Sequence, residues 1–359
     1  MLRLRWPALL VASALVKARH AVAEVPAEAL AEDDECKGPG AKRQCALNAM
    51  QLRSDGTEAP AKAASRFLSQ APAEEAVGAN STAGPEKRLR IVNGCPDQPM
   101  WIAHIAAGGV GPSAQDVKIP PGGSHDFFTA HNGRGLVATR FWPKMGCDPA
   151  GNNCAIGDSG GPGEACVIRG PGIPDDYSHC APPVDSKFEA TFAPPDAPGR
   201  DTVDMSLVDG YSLPFTLEAD GDCTRHGTPF ASMDCKGLTL SRCPKAEHFT
   251  SLGKTLSLQA VHPHTGELVG CFSPCMRLVD DKWNSPIGPP TAPGACDYCC
   301  AGPMGTPAAC KAGPVEHTQY VQLIHEYCPA GYGYAYDDVR ATIVCSTSTR
   351  YTVTFYCPS

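Results

Sequence analysis

The C-terminal part of the sequence reads Tyr-Thr-Val-Thr-Phe-Tyr-Cys at residues 351–357. The apolar Val353 and Phe355 alternate with Thr352 and Thr354, and this period of two predicts a β-strand with one buried face. Other short runs rich in Val, Ile, Thr and aromatic residues recur between Gly and Pro turns, at 100–107, 126–130, 136–142, 203–207 and 340–345. Many short strands separated by turns predict an all-β sandwich or barrel.

The overall composition agrees with that fold class and argues against others. The 359 residues include 36 Gly and 35 Pro, and because both residues break helices, a long helical bundle is disfavoured. Charged residues make up 19% and the formal net charge is −8, so the chain has no basic footprint for nucleic acid. The length allows one large domain or two small ones with a sizeable core.

Cysteine usage and the N-terminal residues both predict secretion. The sequence has 19 Cys outside any plain zinc-finger pattern, which indicates disulfides formed in an oxidising compartment. Two arginines precede the apolar run at 6–16, and small residues at 21–23 offer a cleavage site. We therefore predict a signal peptide at 1–23 and an extracellular protein. Cleavage after Ala14 and a short membrane anchor are the alternatives.

Residues 24–88 differ from the rest of the chain because they are rich in Ala, Glu, Ser and Lys and poor in aromatic residues. Such a segment buries little apolar surface, so we predict a low-complexity pro-segment or linker. It contains an N-glycosylation sequon at Asn80. Its Lys87-Arg88 pair is either a processing site or a solvated charge cluster, and the pairing of Cys36 and Cys45 stays open.

An ordered set of motifs begins at residue 91. In chain order they are IVNGC (91–95), RFW (140–142), CDPAGNNCAIGDSGG (147–161), DMSLVDGYSLP (204–214), YCC (298–300), YCP (327–329) and TFYCP (354–358). In this order and spacing the set resembles the thaumatin-like protein family, over roughly residues 90–359. One departure is Ser159, which stands where the family has a Cys.

The resemblance implies a β-sandwich with disulfide-rich loop domains and one short helix, within a domain at 89–359. The parts would be a sandwich built from 89–144, 184–234 and 329–359, a small loop at 145–183, and a cystine-rich loop domain at 235–328. The helix is expected within 315–327, where Tyr320, Leu323, Ile324 and Tyr327 recur at helical spacing.

The resemblance also implies a disulfide pattern that the sequence alone leaves undetermined. The implied pairs are Cys95–Cys357, Cys147–Cys154, Cys223–Cys345, Cys235–Cys328, Cys243–Cys271, Cys275–Cys299 and Cys300–Cys310. Because Ser159 replaces the usual partner of Cys166, we hypothesise that Cys166 pairs with the extra Cys180. Cys296 stays unassigned.

The family has an acidic cleft formed by an Arg, a Glu and three Asp, and this sequence matches all five positions. The matching residues are Arg140, Glu189, Asp204, Asp209 and Asp337. Carboxylates accept hydrogen bonds from sugar hydroxyls, and clustered carboxylates raise one another's pKa, so one of them can stay protonated. If the cleft is catalytic, Glu189 is expected to be the general acid and Asp204 the nucleophile or base. Each residue also has a structural alternative, such as a turn at Asp209 or an amide contact at Asp204.

These expectations lead to a secreted protein that binds β-1,3-glucan, with weak hydrolysis as an open question, in a defence or cell-wall role. The alternatives are a non-enzymatic protein that perturbs membrane surfaces or inhibits an enzyme, and a structural wall protein. We expect a monomer with a polysaccharide partner and without a nucleic-acid partner. The His262-Pro263-His264 run lies in a loop context without a third ligand nearby, so neither a metal nor another cofactor is expected.

Overall fold

The computed structural model describes residues 86–358, except for 108, 162–163, 172, 196–197 and 280–286. The predicted signal peptide, the sequon at Asn80, and Cys36 and Cys45 lie outside the described residues. Within this part of the chain, no helix is both long and apolar enough to cross a membrane.

Short strands dominate the structure, so the all-β prediction is confirmed. Numbered along the chain, the strands are β1 (Leu89–Asn93), β2 (Met100–Ile105), β3 (Val117–Ile119), β4 (Ser124–Phe127), β5 (Ala130–His131), β6 (Arg134–Gly135), β7 (Thr139–Lys144), β8 (Ile168–Gly170), β9 (Ile173–Asp176), β10 (Lys187–Thr191), β11 (Arg200–Ser206), β12 (Gly210–Tyr211), β13 (Phe215–Asp220), β14 (Cys223–Arg225), β15 (Thr228–Pro229), β16 (Ser232–Asp234), β17 (Glu247–Phe249), β18 (Lys254–Leu256), β19 (Gln259–Val261), β20 (Leu268–Phe272), β21 (Ile343–Ser346) and β22 (Arg350–Phe355).

Two large sheets contain most of these strands. One has five strands in the order β16-β13-β22-β1-β4, and the other has eight in the order β15-β14-β21-β11-β10-β7-β2-β3. Their inner faces meet in an aromatic core, where Tyr351 on β22 lies 6.0 Å from Phe188 on β10 between ring centroids. Val353 and Phe355 are fully buried beside it, as their period-two pattern predicts. The other face of the eight-stranded sheet carries the polar residues described below.

The first and last strands of this sandwich are neighbours. β1 runs parallel to β22, with Ile91 opposite Val353, and the Cys95–Cys357 disulfide joins the segments that follow them. The ordered contacts begin before β1, because Arg88 is only 4% exposed and its guanidinium binds Asp201 and the Thr349 carbonyl. The interpretation of Lys87-Arg88 as a solvated charge cluster is therefore wrong for Arg88.

Helices are few and short, and they lie mainly between the sandwich strands in sequence. They are α1 (Pro274–Val279), α2 (Cys296–Cys299), α3 (Pro307–Ala312), α4 (Gln319–Tyr327) and α5 (Asp338–Ala341), with 3₁₀ turns at Leu240–Arg242, Thr250–Leu252, Gly302–Met304 and Pro314–His317. The sequence predicted one helix, and four shorter ones accompany it within the described residues. The strand predicted at 340–345 is also divided, because α5 occupies its beginning and β21 starts at Ile343.

The start of α4 has a clear local cause. Thr318 is its N-cap, and the Thr318 hydroxyl accepts a hydrogen bond from the Val321 amide at 3.2 Å. The buried Glu247 carboxylate accepts from the amides of Gln319 and Tyr320 at 3.1 and 3.0 Å. These acceptors satisfy the first free amides of the helix, which explains why it starts at Gln319, four residues later than predicted.

Eight disulfides hold the described residues together. They are Cys95–Cys357, Cys147–Cys154, Cys166–Cys180, Cys223–Cys345, Cys235–Cys328, Cys243–Cys271, Cys275–Cys299 and Cys300–Cys310. Among the described cysteines, Cys296 forms no disulfide and is buried.

Candidate functional site

Three charged side chains meet on the outer face of the eight-stranded sheet. Glu189 on β10 lies opposite Asp204 on β11 and opposite Arg140 on β7. Their sequence neighbours Phe188 and Phe141 point into the aromatic core, and since side chains alternate along a strand, the charged residues share the other face. We call Arg140, Glu189 and Asp204 the cross-strand cluster.

The cross-strand cluster is buried and only partly neutralised. Arg140 Nε lies 3.0 Å from Glu189 Oε1, and the two side chains are 4% and 12% exposed. Asp204 is 2% exposed, and its buried Oδ1 has no hydrogen-bond partner among the described residues. Asp204 is therefore the carboxylate with the least support for a negative charge.

The pKa shifts follow from this arrangement. Burial raises the pKa of Glu189, while the positive charges of Arg140 and Lys187 oppose the rise. Burial also raises the pKa of Asp204 well above its usual range, and the Glu189 charge adds to that rise. Both shifts favour the protonated form of the carboxyl group, and the shift is the larger one for Asp204.

A second ion pair extends the cross-strand cluster along β10. Lys187 is two residues before Glu189, and its buried ammonium pairs with the Asp209 carboxylate. Asp185 lies on the same segment and accepts a hydrogen bond from the Ser159 hydroxyl at 2.6 Å. Burial raises the pKa of Asp185 to about 6, while the nearby Lys187 charge opposes this rise.

Asp337, the fifth residue expected in the cleft, lies against α4 and the turn before α5. Its Oδ2 lies 2.7 Å from His325 Nε2 on α4 and accepts from the Gly333 amide at 3.1 Å. The next residue, Asp338, is partly exposed and its Oδ1 accepts from the Tyr332 hydroxyl at 3.0 Å. The negative charge of Asp338 contributes to the raised pKa of Asp204.

Sequence reasoning thus missed three charged neighbours of the expected cleft: Lys187, Asp185 and Asp338. The sequence did contain a signal for Lys187, which lies two residues before Glu189. Residues two apart on a strand point to the same face of the sheet. Asp185 and Asp338 lie outside regular strands, so no periodicity could assign them to this face.

The small loop at 145–183 is anchored at one end of the same strands. Lys144 at the end of β7 has a fully buried side chain, and its Nζ lies 2.9 Å from Asp116, 3.3 Å from Glu164 and 3.5 Å from Asp158. Glu164 and Asp158 also lie close to Cys166. Because Lys144 already supplies the positive charge and Cys166 is in a disulfide, we assign no metal to this group.

Comparisons with known proteins agree with one another over this region. The family model described as "Thaumatin family" matches residues 93–358. Among curated relatives, "Glucan endo-1,3-beta-glucosidase" of Prunus avium is 32% identical over 61% of this chain and 71% of its own length. "Pathogenesis-related protein 5" of Arabidopsis thaliana is 30% identical over 74% of this chain and 88% of its own. "Thaumatin-like protein 1" of the same plant is 29% identical over 76% and 86%.

Among the solved structures that match this chain is a GH family 64 laminaripentaose-producing β-1,3-glucanase from Paenibacillus barengoltzii, with a TM-score of 0.42 and 13% identity. The match covers 77% of this chain and 76% of that one.

Proposed function

Because this chain belongs to the thaumatin family, we propose that it is a secreted defence protein that binds β-1,3-glucan at the outer face of its eight-stranded sheet. The names of two relatives support this proposal, one a glucan endo-1,3-beta-glucosidase and the other a pathogenesis-related protein. Secretion is supported by the eight disulfides of the described residues, since such bonds persist in oxidising compartments.

The observation that carries the proposal is the cross-strand cluster itself. Arg140 offers N–H donors, Glu189 offers carboxylate acceptors, and a protonated Asp204 offers both a donor and an acceptor. Sugar hydroxyls both donate and accept, so this set of groups matches them better than a uniformly acidic surface would. Convergent polar groups of this kind orient ligands in binding sites. Glu189, whose side chain is 12% exposed, is the carboxylate of the cluster most open to solvent.

Retention on insoluble β-1,3-glucan tests the proposal with the oxidised full chain. The wild-type protein should be retained, and Glu189→Gln should bind about tenfold more weakly, because a hydrogen bond to a charged group is lost. Glu218→Gln is the matched control, since Glu218 lies exposed on β13 of the other sheet, and it should bind like the wild type. A wild-type protein that washes through, or a Glu189→Gln variant retained as well as the wild type, would contradict the proposal.

Weak hydrolysis of the same glucan is the second candidate function. It is favoured by the raised pKa of Asp204 next to a Glu189 that pairs with Arg140, since glycoside hydrolysis needs one protonated and one ionised carboxyl group. This arrangement favours roles opposite to those expected from the sequence. Asp204 would hold the proton and act as general acid, while Glu189 would act as base or nucleophile.

Release of reducing ends from soluble β-1,3-glucan tests this second function. Turnover should disappear in Glu189→Gln and in Asp204→Asn while both variants keep the near-ultraviolet circular dichroism of the wild type. Glu218→Gln should keep full turnover. Retention on glucan without any reducing ends would leave binding as the function and exclude hydrolysis of this substrate.

A further inference from the structure

The turn between β19 and β20 is closed by a histidine side chain. The backbone amides of His264 and Thr265 both donate to Nδ1 of His262, each at 3.3 Å. Because an amide N–H can only donate, Nδ1 is the nitrogen without a proton, and the neutral ring carries its proton on Nε2. His262 therefore closes this turn as an Asn or Asp side chain closes an Asx turn, and only the neutral imidazole can accept these bonds.

The same turn contacts the small loop at 145–183. His264 Nε2 lies 3.1 Å from the carbonyl oxygen of Ser178, to which it donates. The ring of His179 stacks on that of His264, with centroids 6.3 Å apart and 27° between the planes. Val184, just after the small loop, shares a buried apolar cluster with Ala260 on β19. The turn thus joins the cystine-rich loop domain to the small loop.

Protonation would disturb this junction directly. His262 is 7% exposed, and its ring centroid lies 5.7 Å from that of His264. Burial lowers the pKa of His262 and the nearby His264 lowers it further, while the charge of Glu267 on the same turn opposes both effects. A proton on Nδ1 would face two amide donors, and the new charge would lie beside two further imidazoles, those of His264 and His179.

We propose that His262 is a pH-sensitive latch, which holds the turn against the small loop at neutral pH and releases it in mild acid. The imidazolium cannot accept the amide bonds of His264 and Thr265, so residues 262–267 lose the contact that closes them. The bond from His264 to Ser178 is then lost as well, because the same turn carries His264. This inference is independent of the proposed binding of glucan.

The direction of the pH dependence follows from the lowered pKa of His262. Between the folded pKa and the unfolded value of about 6.5, the unfolded chain binds more protons than the folded protein does. The contribution of the latch to stability is therefore complete above about pH 6.5 and is lost as pH falls from there to the folded pKa.

Amide hydrogen exchange of the oxidised full chain at pH 7.5 and pH 5 tests the latch. Protection factors, which correct for the pH dependence of the chemical exchange, should fall about tenfold at pH 5 in peptides covering 262–267 and 177–181, the effect of one pKa unit. Peptides from β22 should keep their protection. Equal protection of the turn at both pH values would overturn the proposal.

A matched pair of variants assigns the effect to one side chain. His262→Asn keeps an acceptor for the amides of the turn, suits the following Pro263 and cannot be protonated, so its turn should stay protected at pH 5. His317→Asn is the control, because His317 is exposed on a separate 3₁₀ turn, and it should open at pH 5 like the wild type. Opening of the turn at pH 5 but not at pH 7.5 in His262→Asn would refute the role of His262.

Nitrogen NMR of the wild-type protein labelled at His checks the latch without any substitution. At pH 7.5 the Nδ1 shift of His262 should be that of an unprotonated nitrogen, and its titration midpoint should lie below about 6.5 and coincide with the loss of protection. A protonated Nδ1 at pH 7.5, or a midpoint above about 6.5, would contradict the proposal.

Discussion

Replacement of Arg140 by Met is the most direct test of the charge arrangement at the site. Arg140 Nε lies 3.0 Å from Glu189 Oε1, with side chains 4% and 12% exposed. Removing one partner of a buried ion pair leaves the other charge uncompensated and costs about 3–5 kcal/mol. For a domain of this size each kcal/mol lowers the melting temperature by about 2–4 °C, so we expect a fall of roughly 10 °C at pH 7.5.

The loss should depend on pH, and its sign follows from the pKa of Glu189. Burial already raises this pKa, and the positive charge of Arg140 opposes the rise, so removing Arg140 raises the pKa further. A carboxyl group with a raised pKa keeps its proton in the folded state while the unfolded chain loses it. The penalty is therefore absent below the unfolded value of about 4.3, and it grows as pH rises from there to the folded pKa.

Thermal unfolding of the oxidised protein at pH 4 and pH 7.5 measures both effects. Arg90→Met is the control, because the Arg90–Asp126 pair lies at the surface with Arg90 42% exposed, and it should lose at most about 1 kcal/mol at either pH. A loss below about 1 kcal/mol for Arg140→Met at pH 7.5 would refute the expected cost of leaving the buried Glu189 carboxylate without its partner. An equal loss at both pH values would refute the link between this cost and the ionisation of Glu189.

Three further predictions concern stability and accessibility. Replacing both Cys166 and Cys180 by Ala removes a bridge with a sequence separation of 14 and should cost about 3 kcal/mol in guanidinium unfolding; an unchanged midpoint would contradict this. Tyr320→Phe leaves the buried Leu207 carbonyl without the donor that lies 2.6 Å away, and it should cost about 1–2 kcal/mol in the same assay, so a neutral effect would count against that bond. Buried Cys296 should react with iodoacetamide only after denaturation, and rapid labelling of native protein, seen by mass spectrometry, would disprove its burial.

The sandwich strands were the most predictable part of the fold. The period of two at 351–357 is a direct consequence of burying one face of β22, and the structure buries Val353 and Phe355 accordingly. The ordered motifs from residue 91 onward then predicted the fold of the whole family domain. By contrast, α5 has only four residues, which are too few to show helical periodicity. The sequence pattern therefore predicted a single strand over 340–345, where the structure has the end of α5 followed by β21.

The adjacent pair Asp337 and Asp338 shows why the site was harder to predict than the fold. Successive residues of a helical turn point about 100° apart, and a motif match fixes the position of a residue in the chain without fixing which neighbour faces a ligand. The two aspartates have different partners: His325 on α4 pairs with Asp337, and Tyr332, earlier in the same segment, donates to Asp338. Only the three-dimensional structure brings these partners together.

The charge balance of the site limits what it can bind. Arg140 and Lys187 place two positive charges among the carboxyl groups of Asp185, Glu189, Asp204 and Asp209. With Asp338 nearby, the carboxyl groups outnumber the two positive charges, and the raised pKa of Asp204 reduces the negative charge of the group. A metal cation would have to compete with the resident Lys187 and Arg140 for the carboxylates, and a polyanion would meet a small net negative charge. A neutral polyhydroxylated ligand needs hydrogen-bonding groups with little net charge, and this combination of donors and acceptors supplies them.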